Sequence, residues 1–313
     1  MASDRTMKIA LAGIGKIAYD QHIPSIAASP DWELCATVSR HHTVGGIEAY
    51  QDLATMLEAR PDIEVVSLCM PPVPRFDNAA AALAAGRHVM LEKPPGATLS
   101  ECHQLQQMAR AAGLTIYATW HSREAAQVAA AKTWLRKRKL RRLSVVWKED
   151  VRRWHPGQAW IWQPGGLGVF DPGINALSIL TAILPERFHL KEATIEFPEN
   201  RDAPIAASLE FATSGAFESL TAEFDWRQTG PQTWEIAIET GDGTELTLSD
   251  GGAKLEVNGV LDVERPPHEY EDIYIRFAEL LRDKRSLVDE APLRLVADSF
   301  LIGRRVTTDP FYD

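Results

Sequence analysis

Five short apolar runs within the first 120 residues are separated by segments of helical spacing, and this alternation constrains the fold more than any other feature. Residues 7–12, 32–39, 64–70, 88–91 and 115–119 read as strands, rich in Val, Ile, Leu and Thr. A helical pattern opens at Lys16, and residues 50–59, 74–85 and 98–112 carry apolar side chains three and four apart. Gly86 and Gly113 stop two of these helices, and Pro71-Pro72 stops the third strand. Strands and helices alternating at this spacing make βαβ units and a parallel sheet. Right-handed crossovers then favour the doubly wound arrangement. The expected class is α/β, with an N-terminal Rossmann domain for a dinucleotide.

After residue 121 the pattern changes. A helix is expected over 124–138 and a strand over 140–149, followed by a Trp-, Gly- and Pro-rich stretch over 151–170. Residues 192–198, 205–212, 216–224, 233–240, 244–249 and 253–257 read as strands, with hairpin signals at Asp242-Gly243 and Asn258-Gly259. Helices over 270–283 and 292–304 follow. The expectation is two domains, 1–121 and 122–313, the second an α+β domain on an open, mainly antiparallel sheet. A length of 313 residues agrees with two domains.

Composition narrows the classes of partner. The chain is 45% apolar and 24% charged, which supplies a core and excludes disorder throughout. Its 33 basic residues against 43 acidic ones leave no cationic surplus for phosphates, so nucleic acid is not an expected partner. No apolar run is long enough to cross a bilayer, and Asp4, Arg5 and Lys8 interrupt any leader-like segment. Cys35, Cys69 and Cys102 fit no disulfide or metal spacing. A cytoplasmic protein with no metal and no membrane partner is expected.

Gly13-Ile14-Gly15-Lys16-Ile17-Ala18 is GxGxxA, set after a strand and before a helix. Gly13 allows the tight turn, Gly15 lets backbone approach a pyrophosphate, and Ala18 allows helix-on-strand packing. The alternative is a bare βα turn. The second strand ends Val38-Ser39-Arg40-His41-His42, with no carboxylate to hold an adenosine ribose. Ser39 can donate to a 2′-phosphate and Arg40 can pair with it, so NADP is expected to be accepted alongside NAD, unless both are ordinary surface residues. Glu92-Lys93-Pro94 stands at the carboxyl end of the fourth strand, where open α/β sheets bind ligands.

GxGxxA together with Glu92-Lys93-Pro94 resembles the glucose–fructose oxidoreductase/inositol dehydrogenase (Gfo/Idh/MocA) family. The blocks GKIAYDQHIP at 15–24, HVMLEKPPGATL at 88–99, ATWHSR at 118–123, WKEDVRRWHPGQAWIW at 147–162 and GGLGVFDPGINALSI at 165–179 resemble its bacterial sugar 1-dehydrogenase branch. The resemblance implies oxidation of an aldopyranose at C1 to the aldonolactone with NAD or NADP. D-Galactose is the favoured substrate, with L-arabinose and D-fucose accepted. It also implies a homodimer or homotetramer built through the C-terminal sheet. Lys93 is placed beside nicotinamide and sugar, on a frequently cis Lys93–Pro94 bond, and Glu149, Trp154 and His155 at the sugar. Candidate cofactor contacts are Gly13, Gly15, Lys16, Ile17, Ser39, Arg40, Pro71, Glu92, Lys93 and His121.

Oxidising a C1 hydroxyl needs a base for its proton and charge near the developing alkoxide. Asp171 and Asn175 are four apart and can share a helix face. Many members of the family carry His where Asn175 stands. Asn is no base at neutral pH, so the proton falls to Asp171 or Lys93. Asp171 is expected to be the base, with Asn175 orienting and Lys93 stabilising the alkoxide. Asp171 before Pro172 is also a good N-cap pattern. His121 can bond the sugar or the nicotinamide ribose, or be a core histidine. Trp147, Trp154, Trp160 and Trp162 lie within sixteen residues of chain, and only Trp154 is assigned to the sugar; Trp234 is a candidate for the far wall. Rival readings are a main activity on L-arabinose, a non-catalytic sensor, an enzyme with permanently bound cofactor, and an inositol or 2-hydroxyl dehydrogenase. Retention of Lys93, Asp171 and Asn175 together argues against the sensor.

Overall fold

In the computed structural model, which describes residues 6–213, 217–261 and 268–313, β1 (Met7–Ala12), β2 (Trp32–Val38), β3 (Glu48–Tyr50), β4 (Val65–Leu68), β5 (His88–Leu91) and β6 (Ile116–Ala118) form one sheet. Its order is β3-β2-β1-β4-β5-β6, and every neighbouring pair is parallel. This is the Rossmann order that the alternation predicts. The strands are apolar on both faces. Ala10 and Ala12 of β1, Val66 and Leu68 of β4, and Val89 and Leu91 of β5 enter one core with Met56, Leu83 and Leu105. Their neighbours Ile9, Leu11, Val65 and Met90 enter a second. A sheet covered on both sides reads as continuous hydrophobic runs, as these do.

Helices α2 (Leu53–Ala59), α3 (Arg75–Ala84) and α4 (Leu99–Ala112) cover the first face. The Thr98/Glu101 capping box starts α4, and Gly113 at φ 67° ends it. The other face packs against residues 16–28, which are continuously helical and comprise a π turn (Ala18–His22) and α1 (Ile23–Ala28).

The same face is completed from far along the chain. Contacts divide the protein into two units, Met1–His121 with Tyr270–Glu290, and Ser122–Glu269 with Ala291–Asp313. Division at residue 121 alone would put the helix Glu269–Arg282 in the second unit, yet Tyr270, Ile273, Tyr274 and Phe277 are buried in the first. Phe277 stacks on Trp32 at 5.5 Å and lies 5.6 Å from Tyr117. The physical reason is apolar area: each of these side chains gains about 1.5–3 kcal/mol by burial. Strand β3 also departs from expectation, since the apolar spacing puts residue 50 in a helix; the helix starts at Leu53 behind an Asp52 cap.

The second unit holds α5 (Val128–Leu135), β7 (Leu140–Lys148), α6 (Val151–Trp154), α7 (Phe170–Ile183), β8 (Phe188–Pro198), β9 (Ala206–Thr213), β10 (Ser219–Asp225), β11 (Thr233–Thr240), β12 (Glu245–Ser249), β13 (Lys254–Val257), β14 (Val260–Leu261), α9 (Ala291–Ile302) and β15 (Arg304–Thr308). The helix Glu269–Arg282 of the first unit is α8. The nine strands run β14-β13-β12-β11-β7-β10-β9-β8-β15. Among the described residues only β10–β7 and β15–β8 pair in parallel in this sheet, so it is mainly antiparallel as expected. Both predicted hairpin turns are present, with Gly243 and Gly259 at positive φ. The predicted strand start at residue 216 lies outside the described residues, and β15 was not anticipated. Helix α7 packs on β7 and between α5 and α9.

Candidate active site

The first unit supplies a loop shaped for a dinucleotide. Gly13 turns with φ 94°, and a Cβ there would sit 2.5 Å from the Met70 amide nitrogen, so no side chain fits. Gly15 is the opposite case: a Cβ would meet nothing within 4 Å. Bare backbone thus opens onto the start of the helical run 16–28, where free amide N–H groups and the helix dipole favour a phosphate. Lys16 is exposed and pairs with Asp20, while Ile17 packs into the core beneath. Past β2, the Ser39 hydroxyl oxygen accepts from the His41 and His42 amides at 3.4 and 3.3 Å, and its proton remains to donate. Arg40 is exposed and has no side-chain partner among the described residues. Glu48, on the adjacent strand, is engaged by the Tyr50 hydroxyl and by Arg60, both at 2.6 Å. These residues fit NAD and leave room for the extra phosphate of NADP.

At the ends of β4 and β5 one buried guanidinium holds the backbone. Arg75, 2% exposed, donates to the carbonyls of Met70, Glu92 and Pro94. It braces half-buried Pro71 and the Lys93 turn together; Lys93–Pro94 is cis, as the resemblance implies. Lys93 is half-buried. Its amide donates to Glu92 Oε2 at 2.9 Å. Glu92 Oε1 accepts from Tyr270 at 2.8 Å and faces His22 Nε2 at 3.0 Å. Burial pushes the Glu92 carboxyl up, but the bond and charge of His22, the charge of His121 and the Tyr270 hydroxyl hold it down at about 2. His121 stacks on Tyr270 with centroids 5.6 Å apart.

The second unit gathers the other candidates. Asp171 lies in the first turn of α7, its side chain 8% exposed and Oδ2 3.5 Å from His155 Nε2. It is not the N-cap: Val169 holds that position, and the Asp171 amide donates to Gly168 O at 2.8 Å. Gly173 sets how close α7 comes to the sheet, since a Cβ would lie 2.8 Å from the Phe224 ring on β10. Asn175 follows one turn on, half-buried, and its amide has no hydrogen-bond partner among the described residues. Asp171, Asn175 and His155 are therefore brought together.

Glu149 is tied to two indoles. It is 4% exposed, and its two carboxylate oxygens accept from the indoles of Trp226 (3.2 Å) and Trp234 (2.8 Å). It organises an aromatic wall: Trp154 lies 5.3 Å from Trp234, and His155 lies 5.3 Å from Trp226. The Trp154 indole donates to Gln232, which also receives the Asp150 amide. Trp162 and Ile161 are core residues. The segment around them is closely packed: a Cβ on Gly166 would lie 2.2 Å from Trp160 O, and one on Gly168 2.3 Å from Pro204 O. Arg75, His22, Tyr270, Trp226 and Gln232 were not anticipated. A sequence signal existed for Arg75, a lone cation between Pro74 and an apolar helix face.

Among the described residues no group of three His, Cys, Asp or Glu is arranged to hold a metal, and no helix is long and apolar enough to cross a membrane. Residues 7–119 match the family model described as "Oxidoreductase family, NAD-binding Rossmann fold". Galactose 1-dehydrogenase of Pseudomonas fluorescens is 43% identical over 98% of this chain and 99% of its own length. The crystal structure of D-galactose-1-dehydrogenase from Rhizobium etli superimposes with a TM-score of 0.94 at 52% identity, covering 100% of this chain and 99% of that one. A mutant of KijD10, a 3-ketoreductase from Actinomadura kijaniata in complex with TDP-benzene and NADP, shares the fold alone: TM-score 0.84 at 19% identity, covering 97% of this chain and 100% of that one.

Proposed function

The chain belongs to the Gfo/Idh/MocA family of NAD-binding oxidoreductases, and from that premise we propose that it oxidises D-galactose at C1 to the galactonolactone, using NAD or NADP. The observation that carries the chemistry is the buried Asp171 carboxylate beside His155, with the unpartnered Asn175 amide one turn away. The substrate is supported by full-length similarity to two galactose dehydrogenases.

The loop at Gly13 and Gly15, with Lys16 and Ile17, holds the pyrophosphate, Ser39 and Arg40 the adenosine side, and Pro71, Glu92, Lys93 and His121 the nicotinamide side. When bound, the oxidised dinucleotide supplies the acceptor for the hydride that leaves C1. Asp171 takes the C1 hydroxyl proton as the C1–O double bond forms. His155, 3.5 Å away, steadies the carboxylate before the transfer. The Asn175 amide orients the hydroxyl. The Lys93 ammonium offsets the alkoxide charge, an effect worth more where water is excluded. Trp154 and Trp234 offer indole faces to the C–H surface of the sugar, held in place through Glu149.

D-Galactose and L-arabinose share stereochemistry at C2, C3 and C4 and differ by the C5 hydroxymethyl. Losing one group discriminates by only about 1–3 kcal/mol, so L-arabinose and D-fucose are substrates too. D-Glucose turns its C4 hydroxyl away from a buried partner and is rejected more strongly. The test is the absorbance of reduced nicotinamide after mixing protein, NAD or NADP, and a sugar panel. A rise with galactose, fucose and arabinose, and little with glucose, is expected. No rise with any sugar, or a preference for a cyclitol, contradicts the reading.

A further inference from the structure

The first unit contains a buried pair, His22 and Glu92, whose histidine the chemistry above leaves unused. His22 is 0% exposed, in the helical run that begins at the dinucleotide loop. Its Nδ1 faces the Tyr274 hydroxyl at 2.8 Å and its Nε2 faces Glu92 Oε1 at 3.0 Å. Tyr270 and Tyr274 stand one turn apart on α8, and both set their rings edge-on to the imidazole, at 5.0 and 5.8 Å. The other groups facing the ring are Glu92 and, from the end of β4, Cys69. Burial drives the imidazole toward its neutral form, but the charges of Cys69 and Tyr274 and hydrogen bonds with Cys69 and Glu92 hold its pKa well above the ordinary value. A charge pair is costly to bury, and apolar residues of similar volume often serve stability as well or better. Retaining one here calls for a task beyond stability.

Geometry identifies the task. The Glu92 carboxylate has two ends: Oε1 is fixed by His22 and Tyr270, and Oε2 receives the amide of Lys93. The side chain that caps the lysine turn is thus anchored in the core behind it, to the helical run that starts at Lys16 and to α8. We propose that His22, acting through Glu92 and with Tyr270, is a positioning residue that sets the Lys93 ammonium for the oxidation step. The role rests on Lys93 acting in the sugar oxidation described above. His22 touches no reacting atom, so its loss lowers turnover rather than affinity. A displacement of about 1 Å at a catalytic group costs about 10²-fold in rate.

The experiment compares the full-length protein with His22→Gln, Tyr270→Phe and Lys93→Arg. Tyr270→Phe keeps the charge pair and removes one donor, so it folds even if His22→Gln does not. The first readout is kcat and KM for galactose, with dinucleotide binding followed by quenching of protein fluorescence. His22→Gln is expected to lose about 10²-fold in kcat, and Tyr270→Phe less, with both affinities within about threefold. The second readout needs no turnover. Lysines are reductively methylated with ¹³C-formaldehyde, and the Lys93 resonance is identified by its absence in Lys93→Arg. In both variants it should move more than any other lysine signal. A parent protein inactive on every sugar would overturn the proposed reaction and leave the resonance to decide the positioning. A parent that is active, with variants that keep its kcat or an unmoved Lys93 signal, would overturn the positioning. Parallel losses of kcat and both affinities would also overturn it, because they mark a purely structural role.

Discussion

Replacing Asp171 with Asn separates a base from a helix cap. Asn has the volume of Asp and can still hydrogen-bond, but takes no proton at neutral pH. In the structure Val169 holds the cap position and Asp171 sits in the first turn, so the change removes no cap. Through the helix dipole, a carboxylate in the first turn contributes about 0.3–1 kcal/mol. The 3.5 Å separation from His155 exceeds that of a strong charge-assisted bond, so little more is lost there. Turnover loses far more if Asp171 is the base: about 10²–10⁴-fold, or about 3–5 kcal/mol of barrier. The assay pairs initial rates at saturating galactose and dinucleotide with urea unfolding and dinucleotide binding. A large fall in kcat with nearly parental stability and unchanged dinucleotide affinity is expected. Turnover within about threefold of the parent would refute the assignment and pass the proton to Lys93.

Two further results are expected. Arg40→Ala should weaken NADP far more than NAD, because its exposed guanidinium can pair with a 2′-phosphate that NAD lacks; equal weakening, measured as the ratio of the two KM values, would show Arg40 to be a bystander. Stability should also carry the signature of the buried pair. Glu92, held down at about 2 from an ordinary 4.5, contributes stability that is present above pH 4.5 and is lost as pH falls toward its folded value. His22, raised above 6.5, contributes below that value and fades as pH rises through its folded value. Urea midpoints of the parent and Glu92→Gln should therefore differ at neutral pH and converge in acid; a constant gap would contradict the ionised pair.

Much of this was legible from residue patterns because it is set locally. The parallel sheet follows from apolar runs alternating with helical segments, and the turn at Gly13 from a spacing that only a residue lacking Cβ satisfies. The pairing of Asp171 with Asn175 follows from helical period. What stayed hidden depends on contacts distant in sequence. The return of α8 to the first unit is decided by the uncovered face beneath Trp32 and Tyr117, which no local pattern encodes. Strands β3 and β15 are added at sheet edges, where pairing and not propensity makes the strand. Arg75 and His22 take their roles only once the chain brings Glu92 and the ends of two strands against them. The bond between Glu149 and the Trp226 indole was hidden because the two residues lie 77 apart in the chain.

The central claim is that hydride leaves C1 of the sugar. D-Galactose deuterated at C1, mixed with the protein and the oxidised dinucleotide, tests it directly by mass spectrometry of the reduced dinucleotide. Quantitative appearance of the label there, with a slowed rate when hydride transfer limits turnover, is the predicted result. Reduced dinucleotide free of deuterium, with label transferred instead from sugar deuterated at C2 or C3, would contradict it.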